Sequence, residues 1–198
     1  IKARTGIERR HVAAEGELTS DLSVQAAQKA MEDAGLTIAD IDFILLATTT
    51  PDQTLPATAA IVQSRLGMSH GAAMDIQAVC SGFVYALSTA DAMIQAGQYR
   101  RILVIGAETF TRLLDWDDRA TCVIFGDGAG ACILEAQAST GSNSDRGILA
   151  SYLRCDGAHK DLIRSDGGPS MTPQEVGFIR MEGREVFRHA VTNIAESI

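Results

Sequence analysis

The sequence predicts an α/β protein built on a mainly parallel sheet, and three observations carry that prediction. Short apolar runs of buried-strand type recur at Asp42–Thr48 and Arg101–Gly106. Between and before them lie stretches with apolar residues at helical spacing, closed by glycines at Gly35, Gly67 and Gly97. Composition is that of an ordinary globular chain, 46% hydrophobic and 21% charged over 198 residues, which excludes disorder and collagen-like or disulfide-scaffold classes. Alternation of helix and doubly buried strand is the signature of a layered fold with helices on both sheet faces.

The elements follow in order. Ser20 suits an N-cap, and Val24, Ala27, Met31 and Ala34 mark one face of a helix over 20–34 that Gly35 ends. The run 42–48 is a buried strand. Pro56 fits the first turn of a second helix reaching Leu66. Residues 72–76 form a weaker strand, because alanine is a poor strand former. From Ser81 to Ala96, Phe83, Leu87, Ala90 and Ile94 mark a third helix, and 101–106 is a third strand. Beyond Thr109 the pattern becomes strand (120–125), glycine link (126–130) and strand (131–134), then a solvent loop over 137–146 and a further strand at 147–154. A Gly/Ser/Pro-rich stretch from Ser165 to Pro173 marks a boundary, so the chain divides at 165/166. An amphipathic helix from about Arg184 carries Val186, Phe187, Ala190, Val191 and Ile194 on one face.

Charge and cysteine usage narrow the function. With 17 basic against 25 acidic residues and no basic cluster, nucleic acid is not an expected partner. No apolar run approaches the roughly 18 residues of a membrane span, and no signal-peptide pattern is read. The four cysteines, Cys80, Cys122, Cys132 and Cys155, include no C-x-x-C and have no histidine at zinc spacing, so no metal is expected. Cys122 and Cys132 lie in apolar runs and read as small core hydrophobes. Unpaired thiols suit a reducing cytoplasm. The letters Gly126-Asp127-Gly128-Ala129-Gly130-Ala131 match a dinucleotide fingerprint, but a strand follows where the fingerprint requires a helix, and Asp127 would face the phosphates. Those glycines read instead as a tight turn with close backbone packing.

Cys80 stands apart. It falls between the strand ending near Ile76 and the helix starting at Ser81, where backbone N–H groups of a first helical turn favour thiolate over thiol. Small neighbours (Ala78, Ser81, Gly82) leave room for an acyl group, and the Cys80 amide is placed to stabilise an oxyanion. The competing reading is a core cysteine that merely precedes a helix. His11, His70, His159 and His189 all read as solvent-facing rather than as its partner.

Four segments then occur in one order: Arg4-Thr5-Gly6-Ile7-Glu8-Arg9-Arg10-His11, Ala78-Val79-Cys80-Ser81-Gly82-Phe83, Asp118-Arg119-Ala120-Thr121 and Phe125-Gly126-Asp127-Gly128-Ala129-Gly130-Ala131. Together they resemble the β-ketoacyl-acyl-carrier-protein synthase III family of condensing enzymes. The resemblance implies a thiolase-like αβαβα fold, of which this chain would carry the N-terminal half (1–165, without its first strand) and the start of the second (166–198). It implies a homodimer, and a reaction in which Cys80 takes an acyl group from acyl-CoA before condensing it with malonyl-acyl-carrier protein. No cofactor is implied, coenzyme A entering as the substrate thioester. Arg4, Thr5 and Arg119 match positions that contact CoA, guanidinium suiting phosphate and adenine; the alternative for Arg119 is an ion pair with Asp115 or Asp118. Leu55 matches a position that lies near the partner subunit's acyl pocket, and Phe187 matches a pocket-side aromatic, with simple core packing as the alternative for Phe187. The family's catalytic His and Asn motifs do not occur in this sequence, which opens at Ile1 rather than Met, and an incomplete chain is expected. A related condensing enzyme of secondary metabolism, or an inactive CoA-binding core, are the other readings the residues allow.

Overall fold

A computed structural model describes residues 1–142, 145–171 and 175–196, which form two units. Pro173, at the end of the expected boundary stretch, and Asn143 and Ser144 of the expected solvent loop fall outside the described residues.

The larger unit comprises 13–109 and 127–151. It contains helices α2 (Thr19–Ala34), α3 (Thr58–Leu66) and α4 (Gly82–Gln95) and strands β1 (Phe43–Ala47), β2 (Ala72–Ile76), β3 (Arg101–Glu108) and β4 (Gly128–Glu135); α1 (Lys2–Thr5) belongs to the other unit. The sheet order is β2-β1-β3-β4, with β2, β1 and β3 parallel and β4 antiparallel to β3. Side chains alternate across a strand, and here both sets are apolar. Ile44, Leu46, Leu103, Ile105 and Ala107 pack with Val24, Ala27 and Met31 of α2 and Ala59 and Val62 of α3. Phe43, Leu45, Ala47, Ile102 and Val104 pack on the opposite face with Ala86 and Ala90 of α4. The result is a three-layer α/β/α unit. Gly35, Gly67 and Gly97 follow the three helices with φ of 64°, 76° and 71°, as their stop role requires.

Several elements depart from the sequence reading. Helix α2 starts one residue early: Asp21 accepts the Leu18 N–H at 2.6 Å, while Ser20 is buried and its hydroxyl accepts a hydrogen bond from Arg65. Helix α3 starts at Thr58 rather than at Pro56, because Asp75 of β2 accepts the Thr58 and Ala59 N–H groups at 2.8 and 2.7 Å and so caps the helix from across the chain. The glycines are not a link: Gly128 and Gly130 lie within β4, opposite Glu108 and Gly106, and an added Cβ at either meets nothing within 4 Å. Close packing holds at Gly126, where a Cβ would lie 3.1 Å from the His11 carbonyl oxygen.

The second unit comprises 1–12, 110–126 and 152–196 of the described chain, with α1, strands β5 (Ile163–Gly167) and β6 (Val176–Met181) and helix α5 (Gly183–Glu196). β5 and β6 form an antiparallel ribbon in the stretch read as a boundary, so position 165/166 falls inside β5. Its core is Phe110, Leu114 and Ile179, with the Phe110 and Phe125 rings 4.8 Å apart. Residues 120–125 are turn rather than strand, since Asp118 accepts both the Ala120 N–H and the Thr121 hydroxyl at 2.9 Å and draws the backbone into successive turns. Residues 147–154 are not strand either.

Candidate active site

Parallel strands β2 and β1 end level at Ile76 and Ala47, β3 runs two residues further to Glu108, and the chain leaves β2 for the turn that carries Cys80. That turn is a single 3₁₀ turn, Val79–Ser81, and α4 begins at Gly82. Cys80 is exposed, which removes the reading of it as a core cysteine. Ser81 provides no side-chain cap to α4, so it leaves the first-turn N–H groups to other partners. Two glycines bring this turn onto the sheet end. A Cβ at Gly82 would sit 3.3 Å from Ala47 Cβ, and one at Gly106 would sit 3.1 Å from the Phe83 ring. Val79, directly before the cysteine, has φ of 47°. That is a left-handed backbone carried by a β-branched residue, which is strained.

A second cluster shares this end of the sheet. The Glu108 carboxylate accepts the Thr49 N–H at 2.8 Å and the Thr50 hydroxyl at 2.6 Å. Burial pushes the Glu108 carboxyl above the ordinary glutamate value, against the opposing effect of these hydrogen bonds. The Thr50 hydroxyl accepts the Thr109 N–H at 2.9 Å, and the Thr49 hydroxyl accepts Gln77 Nε2 at 2.9 Å. Sequence reasoning missed Glu108, since one carboxylate at the end of an apolar run carries no spacing signal.

The remaining sequence-predicted residues are placed as follows. Leu55 is 78% exposed, in the β1–α3 loop of the same unit as Cys80. Arg4, Thr5, Arg119 and Phe187 belong to the other unit. Arg4 and Thr5 lie exposed in α1, where the Thr5 hydroxyl donates to the Ile1 carbonyl at 3.1 Å. Arg119 is exposed, and among the described residues no ion pair engages it. Asp115 pairs instead with Arg180 at 3.2 Å, and the Asp118 carboxylate is taken by its own turn. Phe187 is 71% exposed on α5, so in this chain it does not pack into a core. His11, His70 and His159 are exposed as expected; His189 is partly covered and its ring lies 4.0 Å from that of His159. Among the described residues no group of His, Cys, Asp or Glu is arranged to hold a metal, and no helix is long and apolar enough to cross a membrane.

The family model for 3-oxoacyl-[acyl-carrier-protein] synthase III matches residues 74–157, which include Cys80 and Arg119. A curated β-ketoacyl-[acyl-carrier-protein] synthase III of Paramagnetospirillum magneticum is 62% identical over 195 residues, covering 98% of this chain and 60% of the relative. The chain belongs to the β-ketoacyl-acyl-carrier-protein synthase III family. It spans about 60% of the length of the curated family members it matches. Among solved family structures, the synthase III of Pseudomonas aeruginosa superposes with a TM-score of 0.87 at 38% identity, over 99% of this chain and 58% of that one. That of Aquifex aeolicus gives 0.83 at 42% identity, over 95% and 56%. The three-layer unit is thus the thiolase-like α/β fold of this family.

Proposed function

We propose that Cys80 is the acyl-carrying nucleophile of a β-ketoacyl-acyl-carrier-protein synthase III that starts fatty-acid synthesis. The observation that carries this reading is an exposed cysteine on a strained strand-to-helix turn, within the segment matched by the family model. The Cys80 thiolate attacks the thioester carbonyl of an acyl-CoA primer, acetyl-CoA above all, and the CoA thiolate leaves. Malonyl-acyl-carrier protein then loses CO₂. The electron pair of the broken C–C bond attacks the acyl carbon, and the Cys80 thiolate departs to leave a 3-ketoacyl-carrier protein. Cys80 directly precedes the first turn of α4, whose N–H groups carry partial positive charge, which supports an electrostatic role for the turn.

In this reading Arg4, Thr5 and Arg119 bind the CoA moiety, Arg119 being available because Asp115 and Asp118 are engaged elsewhere. Leu55 and Phe187, both exposed apolar side chains, line the acyl pocket of the assembled enzyme, a homodimer. Residues 1–165 and 166–198 then belong to successive thiolase-like halves. Incubation with radiolabelled acetyl-CoA, followed by peptide mapping, tests the reading. Label on the peptide carrying Cys80, and none on the Cys80→Ala variant, is the expected result; equal labelling of the variant sinks it.

A further inference from the structure

Val79 poses a physical question, because a strained backbone persists only where its surroundings over-determine it. Cys80 and the start of α4 lie on one side of this residue. On the other side is Gln77, the first residue past β2. Gln77 Nε2 donates to the Thr49 hydroxyl at 2.9 Å, and the Thr48 N–H donates to the Ile76 carbonyl at 3.2 Å, so the exit of β2 is held to the exit of β1. The exit of β1 is in turn held by Glu108, through the Thr49 N–H and the Thr50 hydroxyl.

We propose that Glu108 is a positioning residue for Cys80: its carboxylate fixes the Thr49–Thr50 strap, and the strap fixes, through Gln77, the turn that presents the nucleophile. The proposal rests on the reading of Cys80 as the acyl carrier. The polarity of the network shows why an anionic acceptor is needed. The Thr50 hydroxyl has one proton, which it gives to Glu108, while its oxygen accepts from the Thr109 N–H. The Thr50 carbonyl is already taken by the Thr19 hydroxyl at 2.6 Å. Glu108 must therefore present acceptors to two donors at once, Thr49 N–H and Thr50 O–H. A carboxylate does this and a primary amide does not, since one of its two faces is a donor. Among the described residues Glu108 has no ion pair, and a carboxylate so held in a partly desolvated place costs stability, a cost that is worth bearing where it fixes geometry.

The test compares Glu108→Gln, Thr50→Val and Thr50→Ser with the parent chain by amide hydrogen exchange and by acetyl transfer to the Cys80 thiol. Exchange at 77–83 is expected to rise about tenfold in Glu108→Gln and Thr50→Val, with α2 residues 24–31 unchanged, and to stay at the parent level in Thr50→Ser, which keeps the hydroxyl. The acetylation rate constant should fall about tenfold in the first two variants with little change in the half-saturating acetyl-CoA concentration, since misplacement of the nucleophile acts after binding. Unchanged exchange at 77–83 overturns the proposal, as does a rise spread equally over α2, which would mean a merely structural role. If the regional rise appears but the parent chain takes no acetyl group, the bracing stands and the acyl-carrier reading fails.

Discussion

Gly71 directly precedes β2, the strand that leads to the Cys80 turn, and its replacement by alanine can be worked out against an internal control. Gly71 and Gly67 have nearly the same backbone, φ of 72° and 76°. Alanine at either carries a left-handed penalty of about 1–2 kcal/mol, partly offset by about 0.4–1 kcal/mol from a less flexible unfolded chain. At Gly67 nothing lies within 4 Å of the new Cβ, so Gly67→Ala should cost about 0.5–1 kcal/mol. At Gly71 the Cβ would lie 2.2 Å from the Asp42 carbonyl oxygen and 2.5 Å from Met68 Cε. The Met68 tip can swing away. The carbonyl cannot, because it accepts the Ala72 N–H at 3.2 Å, while the Asp42 N–H donates to Arg101 at 2.9 Å and its carboxylate takes the Arg100 and Arg101 N–H groups. Overpacking against a pinned backbone adds about 1–3 kcal/mol. Gly71→Ala should therefore melt about 2–12 °C below Gly67→Ala for a chain of this length. Urea denaturation of the two variants side by side checks this. Equal midpoints would refute the claim that contact with Asp42, rather than backbone conformation, makes glycine necessary there.

Three further outcomes are expected. Asp75→Ala removes both acceptors from the start of α3 and should cost about 1–2 kcal/mol, read as a lower urea midpoint with an unchanged slope. Brief alkylation at neutral pH followed by peptide mapping should label exposed Cys80 and Cys155 ahead of Cys122, which is buried, and of Cys132, whose thiol is pushed up by burial. Glu108 gives a pH signature with a defined sign. Its folded carboxyl titrates above the ordinary glutamate value of 4.5, so its favourable contribution is complete below that pH and is lost as pH rises through the folded value. The stability of the parent chain minus that of Glu108→Gln should therefore decline from about pH 4.5 upward and then level off; a flat difference would remove burial as the dominant influence on this group.

The parts of the fold that were legible in the sequence are those whose cause is local. Leu45 and Leu46 point to opposite layers, as do Leu103 and Val104, and a strand apolar on both faces needs helices on both faces. Glycine stops at 35, 67 and 97 depend only on the helix they end. Misplaced elements have distant causes. The start of α3 is set by Asp75, and the hydroxyl of Ser20 is claimed by Arg65, 45 residues away. Gly128 and Gly130 enter a strand because β3 extends two residues past Gly106 and offers them a partner. The β5–β6 ribbon pairs Ser165, the first residue of the stretch whose composition reads as a boundary, with Ile179, 14 residues further on. Residues 120–125 are the exception, misread although the cause is local: their letters are strand-like, but the Asp118 side chain sits next to them and outcompetes a weak propensity. In the site, Cys80 was visible because strand, turn and helix are contiguous around it, whereas Glu108 acts on residues 58 and 59 positions earlier in the chain.

Small residues around Cys80 acquire a second meaning from the packing. Gly82 is buried against Ala47, and Gly106 lies under the Phe83 ring, so both glycines serve to let α4 settle on the sheet end. Free space beside Cys80 must then come from the exposed side of the turn, where Val79 and Cys80 face outward. Two kinds of restraint consequently act on Cys80: close packing sets how near α4 comes to the strands, and the Glu108–Thr49–Gln77 network sets how the chain enters the turn. Packing alone leaves the left-handed Val79 free to relax toward an ordinary backbone, because a half-exposed side chain offers little to hold it. The hydrogen-bond network alone leaves the height of α4 undetermined. The position of the sulfur is specified only when both act, and for that reason residues that never touch it are expected to govern its reactivity.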